Sequence, residues 1–533
     1  MMKKTIKKLL AALLAVAMVC AMAIPAFAEN SEGDVDSHHT YSAFQIFKGD
    51  VEGNNIKDFK ISNVDWGSNI INNSDDFLNK LREADHIGPL FTNAKSAQEV
   101  LAVISQWHDS DDDSIAFARF VCHYLYSNDA NPTYVVRAGS NALTIPEAKA
   151  GYYLFVDTTD FSKDDSYHSY NSFLLMVTKG NWNVPITPKA EKPTVEKKVY
   201  DNQDGTSEAG FYSSADHAIN EKFQFQLIAK LPASKDNGRA YDYYDKYTVC
   251  FNDTLSAGIT FDNLDTVEIA NVDGSDPKEI TNYTLVKDLH EAGLPSSIKL
   301  SIDNVKTAGL NLNDGATITV TYTAHLNEKA YVNTVGGGTD NKNSVYLEYS
   351  NNPRISTSLD HTTTSEVCVY TYQLNNTKHQ DSENGPVLEG AGFRLYSNEA
   401  CNAEDEIKLK MNDDGTYSRD FSTEGKGVEM LSNKDGQFNV KGLDAGTYYL
   451  KETNPPAGYS ACPDKEIVIS ATHDVYNVSL AGNLSNKIIN KKAGGITLPS
   501  TGGIGTTLFY VVGGGLMVAA IVLLVTKKRM ENK

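Results

Sequence analysis

The sequence predicts an all-β protein of tandem antiparallel sandwiches, and three observations carry that expectation. The first is period-two alternation. Phe223, Phe225 and Leu227 alternate with polar residues, as do Ile318, Val320 and Tyr322, and then Val345, Leu347 and Tyr349. Cys368, Tyr370, Tyr372 and Leu374 repeat the pattern. Successive side chains of a strand point to opposite faces, so this spacing buries one face of each sheet. The second observation is composition. Threonine, valine and tyrosine fill these stretches, and Asn-Gly, Asp-Gly and Gly-Gly dipeptides separate them, which is the chemistry of tight turns between strands. The third is length: 533 residues exceed what one hydrophobic core can organise, so several domains are expected.

Helical spacing is confined mainly to the first third. Ser74 to Arg82, Ser96 to Trp107 and Ile115 to Tyr126 place apolar residues on one helical face. They read as insertions on a β scaffold. The acids Asp109, Asp111, Asp112 and Asp113 precede the last of them and read as a solvated capping run, because no EF-hand glycine or bidentate glutamate follows at the required spacing. No metal site and no cofactor are expected. His38 and His39 lie near an end expected to be flexible.

Two stretches divide the chain. Pro185, Pro188 and Pro193 punctuate a lysine-rich segment, and Ser356 to Ser365 is rich in serine and threonine. The expected parts are a leader (1–28), a first domain (29–188), a middle sandwich (189–355), a C-terminal sandwich (356–492) and an anchoring segment (493–533). Ala150-Gly151-Tyr152-Tyr153-Leu154 echoes Ala445-Gly446-Thr447-Tyr448-Tyr449-Leu450, which suggests kinship between the first and last domains.

Both ends read as addresses. Lys3, Lys4, Lys7 and Lys8 precede the apolar run Leu9 to Ala23 and a small-x-small site, Ala26-Phe27-Ala28, so the mature chain is expected to begin near Glu29. At the other end, Ile504 to Val525 is uncharged and about long enough to span a bilayer, and Lys527, Lys528 and Arg529 follow it. The net charge is −20, and removing the leader's four lysines and the tail's net three positive charges leaves −27 for Glu29 to Thr501. A chain so acidic repels nucleic acid and anionic membranes, which excludes them as partners.

Six cysteines are present, and Cys20 would leave with the leader. None has CxxC spacing, which argues against zinc. Cys401 and Cys462 fall in one expected domain and form the first disulfide candidate. Cys250 with Cys368 is a second, and Cys122 reads as a buried thiol. No serine, histidine and aspartate set suggests hydrolysis, and no domain is left over for an enzyme active site.

Three motifs remain. Leu498-Pro499-Ser500-Thr501-Gly502 stands directly before the apolar run. Tyr448-Tyr449-Leu450-Lys451-Glu452-Thr453-Asn454-Pro455-Pro456-Ala457-Gly458-Tyr459 resembles the E-box of Gram-positive pilins, and Trp182-Asn183-Val184-Pro185-Ile186-Thr187-Pro188-Lys189 resembles their pilin motif, with Thr187 where that family has tyrosine. With the leader, the whole chain resembles a sortase-assembled backbone pilin of the SpaA type, built of immunoglobulin-like, Cna B-type sandwiches. The resemblance implies a structural subunit, not an enzyme with turnover. A pilin-class sortase would cleave after Thr501 and join its carbonyl to Lys189 of the next identical subunit, with Lys192 as the alternative acceptor. Minor pilins, peptidoglycan and a host ligand would be further partners, and adhesion and colonisation the role. The rival is a wall-anchored adhesin or ancillary pilin that does not polymerise.

The same resemblance implies a second amide, inside a domain: an unprotonated lysine attacks an asparagine side chain, an adjacent acid polarises the amide, and ammonia leaves. All three groups must face inward, and strand parity tests that. Tyr448, Leu450 and Glu452 share one face, and Lys378 shares parity with Tyr370, Tyr372 and Leu374. Asn490 and Asn486 both fit the last strand, and Lys378, Asn490 and Glu452 are the expected set. In the middle domain, Lys197 is in phase with Val195 and Val199, whereas Lys198 is not. Asp253 continues Tyr247, Val249 and Phe251, and Asn351 continues Val345, Leu347 and Tyr349, ahead of Asn352. Lys197, Asp253 and Asn351 are the second set. The first domain is expected to lack a bond, because Val156 stands where Glu452 stands in the echo and Asp157 points the other way.

Overall fold

A computed structural model describes residues 39–493 apart from the short segments 55–58, 109–110, 138–143, 146–148, 162–167, 171–172, 180–181, 184–191, 203–207, 235–238, 334–340 and 423–425. The leader, the apolar run from Ile504 and the tail lie outside the described residues. Among the described residues, no helix is long and apolar enough to cross a membrane. The chain forms two compact units. The larger comprises residues up to Gln373 with 441–446 and 469–482, and the smaller holds the rest of the C-terminal part.

The fold is all-β with helical insertions, as expected. In the larger unit, an antiparallel sheet runs Lys60–Trp66, Thr40–Glu52, Gly151–Asp157, Leu174–Thr178, with Tyr134–Arg137 also paired to Thr40–Glu52. Helices Ser74–Glu83, Ala97–Ile104 and Asp112–Ser127 supply much of its core. Their starts follow from sequence: the Ser96 side chain accepts from Glu99 N, and Asp112 and Asp113 stand in the first turn of the last helix, where acids favour the positive end of the dipole. Phe77 illustrates the packing. It meets Trp66 at 5.5 Å and Tyr124 at 5.0 Å, both edge to face.

A two-sheet sandwich completes this unit. One sheet runs Ser214–Asp216, Ser365–Tyr370, Lys342–Ser350, Val249–Leu255, Ser296–Ile302, Thr284–Asp288. The other runs Lys278–Glu279, Ile259–Ala270, Ala316–Leu326, Lys222–Leu231, Thr194–Asp201, Gly210–Tyr212. The alternating apolar residues of both fill one core. The serine- and threonine-rich stretch after Ser356 leads into Ser365–Tyr370, which is hydrogen-bonded antiparallel to Lys342–Ser350 within this sandwich.

In the smaller unit, Tyr372–Gln380 pairs in parallel with the last strand, Ser485–Asn490, in the register Lys378↔Ile488. Gly392–Tyr396 pairs antiparallel with Gly446–Asn454, in the register Phe393↔Glu452. The first and last strands of this unit are therefore neighbours, and that adjacency positions the site.

Candidate functional site

In the smaller unit, parity delivers three polar side chains into an apolar interior. Lys378 and Asn490 are fully buried, and Glu452 is buried with them. Lys378 Nζ donates to Asn490 Oδ1 and lies 3.3 Å from Glu452 Oε1. Asn490 Nδ2 donates to the same Oε1 at 2.8 Å, while the Cys462 backbone N–H holds Oε2 at 2.7 Å. Phe393 covers the ammonium at 5.1 Å and is itself stacked on Phe438. The alternative, Asn486, turns away and donates to Asn483 O at 2.8 Å.

The middle sandwich holds a second such cluster. Lys197 and Asp253 are buried and bonded through Nζ and Oδ1, whereas Lys198 is half-buried beside Glu196. Burial pushes the Lys197 ammonium down to about 8, against the opposing pull of Asp253. Asn351 is elsewhere, with its Oδ1 accepting from Ser358 Oγ at 2.8 Å, and Asn352 caps the following turn through Arg354 N. The fully buried Asn343 stands at the cluster instead, and its Nδ2 donates to Tyr322 Oη at 2.5 Å. The same hydroxyl accepts from Lys197 Nζ at 3.2 Å and donates to Asp253 Oδ2 at 2.6 Å. Asn343 and Asn351, one residue past the strand Lys342–Ser350, share parity, but at about 3.3 Å per residue they are roughly 26 Å apart. Alternation alone names the face and leaves the position along it open. Tyr322 was readable only as a core tyrosine.

In the first domain both Val156 and Asp157 are buried, because both faces of Gly151–Asp157 are covered. Asp157 accepts from Thr159 Oγ1 at 2.6 Å and pairs with His39 Nδ1 at 2.6 Å. His39 is therefore a buried, anchored residue and not part of a flexible end. Lys189, Thr501 and the Leu498–Gly502 sequence lie outside the described residues. Trp182–Asn183 forms a short strand against Thr144–Ile145, and Lys192 lies two residues before the strand Thr194–Asp201.

The two expected disulfides are not formed: among the described residues no disulfide joins Cys122, Cys250, Cys368, Cys401 or Cys462. Cys250 opposes Glu348 and Cys368 opposes Lys342, on strands flanking Lys342–Ser350, so six residues of strand separate them. That is roughly 20 Å, far beyond the reach of a disulfide. The Cys462 thiol lies against Lys378 and Glu452, and the Cys401 thiol against Asp464. The fold also assembles two groups that sequence spacing could not show: Asp201 with Asp216 and His473, and His217 with Glu221 and Asp444. Each offers ligand atoms within 4.8 Å of one another. In the first, His473 Nε2 is 3.7 Å from Asp216 Oδ1, an ordinary ion-pair distance when the imidazole is protonated.

Residues 374–483 match the family described as the SpaA prealbumin-like fold domain, and residues 490–532 match the LPXTG cell wall anchor motif. The trypsin-resistant surface T6 protein of Streptococcus pyogenes serotype M6 is 27% identical over 233 residues, which cover 40% of this chain and 36% of that protein. The chain thus spans about a third of the length of that relative. Among solved structures, the T6 backbone pilin of serotype M6 S. pyogenes is similar over 86% of this chain and 97% of its own (16% identity, TM-score 0.45). The full-length major pilin SpaD of Corynebacterium diphtheriae is similar over 68% and 84% (19% identity, TM-score 0.40). The group B streptococcus pilus 2b backbone protein is similar over 56% and 98% (21% identity, TM-score 0.39).

Proposed function

We propose that this chain, a Gram-positive surface protein that ends in an LPXTG cell wall anchor and carries a SpaA-type prealbumin-like domain, is the major structural subunit of a covalently polymerised pilus. The observation that carries the reading is the buried contact of Lys378 with Asn490 and Glu452. It links the first and last strands of the domain that directly precedes the anchor.

The chemistry follows from the contacts. A proton passed from Lys378 to Glu452 leaves an amine and a carboxylic acid, both neutral, which a low-dielectric pocket tolerates better than separated charges. The amine attacks Asn490 Cγ, Glu452 protonates Nδ2, and ammonia leaves an isopeptide bond. Proximity supplies the rate, since the reacting groups are already in contact. Tension applied along the chain would then pass through covalent bonds at the strand ends. Each bond forms once, so the protein has no turnover. Between subunits, a sortase cysteine would attack the Thr501 carbonyl, and Lys189 of the next molecule would resolve the acyl-enzyme. The fibre would serve attachment to host surfaces.

Two measurements test this. The intact mass of the mature chain, Glu29 to Thr501, should fall short of its sequence by one ammonia per bond, and two are expected. Co-expression with the pilin sortase should give high-molecular-weight ladders that Lys189→Ala abolishes. Ladders that persist in Lys189→Ala would remove Lys189 as acceptor and turn attention to Lys192. A full-length mass would remove the internal bonds, and a wall-anchored monomer with no ladders at all would leave the adhesin reading in place of the backbone.

A further inference from the structure

We propose that the middle sandwich builds its internal amide on Asn343 and that Tyr322 is a catalytic residue of that bond, relaying the action of Asp253 to the amide. The inference rests on the isopeptide reading above and goes further, because it assigns an acceptor and a proton relay to this second site.

The two clusters differ in one respect. In the smaller unit the acid touches the amide directly, with Glu452 Oε1 at 2.8 Å from Asn490 Nδ2. In the middle sandwich a hydroxyl stands between them: Tyr322 Oη donates to Asp253 Oδ2 at 2.6 Å and receives Asn343 Nδ2 at 2.5 Å. It also receives Lys197 Nζ at 3.2 Å, so the nucleophile and the leaving nitrogen meet on one oxygen atom. A buried tyrosine hydroxyl needs a single partner to offset its desolvation, and this one holds three. Burial and the neighbouring Asp253 both raise the Tyr322 hydroxyl well above its ordinary range, so it remains protonated and able to donate. Among the described residues Asn343 Oδ1 is buried without a hydrogen-bond partner, an uncommon state that a catalytic role would explain.

The step balances as follows. Lys197 gives a proton to Asp253 and becomes a neutral amine. Nζ attacks Cγ of Asn343 and forms the new C–N bond. Asp253 passes its proton to Tyr322 while the Tyr322 proton moves to Nδ2. The Cγ–Nδ2 bond breaks and ammonia departs. The surplus proton on Nζ returns to Asp253, and Tyr322 ends as it began. An amine and a primary amide become a secondary amide and ammonia, with no oxidant or cofactor required.

The test uses the mature chain, with peptide mapping and intact mass followed over time after purification. The parent protein should lose two ammonias and yield a Lys197–Asn343 crosslinked peptide. Asn343→Ala should lose one, and Asn351→Ala should still lose two. Tyr322→Phe, which keeps the ring in the core, should form the middle bond at least about a hundredfold more slowly, the usual scale for a lost proton relay. Its Lys378–Asn490 bond should form at the parent rate, and a normal thermal transition for the middle domain would show that the fold survives. A Lys197–Asn351 peptide, or two losses in Asn343→Ala, would overturn the acceptor assignment. Parent-rate crosslinking in folded Tyr322→Phe would overturn the relay. A parent protein that loses only the C-terminal ammonia would overturn this inference alone, whereas a parent that loses none would overturn the isopeptide reading beneath it.

Discussion

Lys378 and Asn490 lie 112 residues apart in sequence on adjacent parallel strands, and the lysine Nζ donates directly to the asparagine Oδ1 in a fully buried pocket. A covalent bond there would constrain the unfolded chain much as a disulfide does. On the loop-entropy account, a loop of this length contributes about 4–5 kcal/mol. Asn490→Ala should therefore retain one ammonia that the parent loses, and its C-terminal thermal transition should fall by on the order of 15 °C. Calorimetry alongside intact mass measures both. A mass change without a thermal shift would show that the bond is not what stabilises this domain.

Lys197 supplies a pH dependence. In Asn343→Ala the lysine would stay free, with its folded value depressed to about 8 from an ordinary 10.5. Between those values the unfolded state binds the proton and the folded state does not, so stability should rise as pH rises through that window. Below about pH 8 both states are protonated, and this source of pH dependence vanishes. Urea denaturation of Asn343→Ala at pH 7 and pH 9.5 should show the higher stability at pH 9.5, by up to about 2 kcal/mol. The opposite sign would mean that Asp253 outweighs burial at this site.

How much of this was legible in the sequence depends on what period-two spacing can encode. It names a face, and so it found Lys197 over Lys198, and Asp253 and Glu452 as inward acids, all of which are buried. It carries no position along the strand, and so Asn351 and Asn343 were equivalent to it although only Asn343 reaches Tyr322. Pairing register decides that, with Asp253 opposite Val345, and register is a property of two strands distant in sequence. Asp157 does take the face opposite Val156, yet it too is buried. Alternation presumes one solvated face, and Gly151–Asp157 has none. The Cys250–Cys368 pairing failed on distance, which spacing in sequence does not report.

The thiols give a chemical check on that last point. Burial pushes the Cys122 thiol up to about 12 and the Cys462 thiol up to about 11, so neither is a thiolate near neutral pH. Non-reducing peptide maps of the mature chain should show no disulfide. Alkylation of both residues at pH 7.5 should be slow in the native protein and rapid in denaturant. Rapid native labelling of Cys122 would contradict its burial on the inner face of the helix Asp112–Ser127.

Asp157 allows the first domain to be separated from the other two. Its carboxylate joins His39 and Thr159 in a buried cluster, and its removal leaves those donors without their acceptor. Asp157→Ala should destabilise this domain by about 1–3 kcal/mol, the cost of stranding buried polar groups. Val156 stands where the C-terminal domain has Glu452, so no internal bond is expected in the first domain and the expected ammonia count is unchanged at two. Limited proteolysis should then cut the first domain earlier than in the parent while leaving the two sandwiches intact. A count that fell to one in Asp157→Ala would show instead that this acid serves a bond of its own.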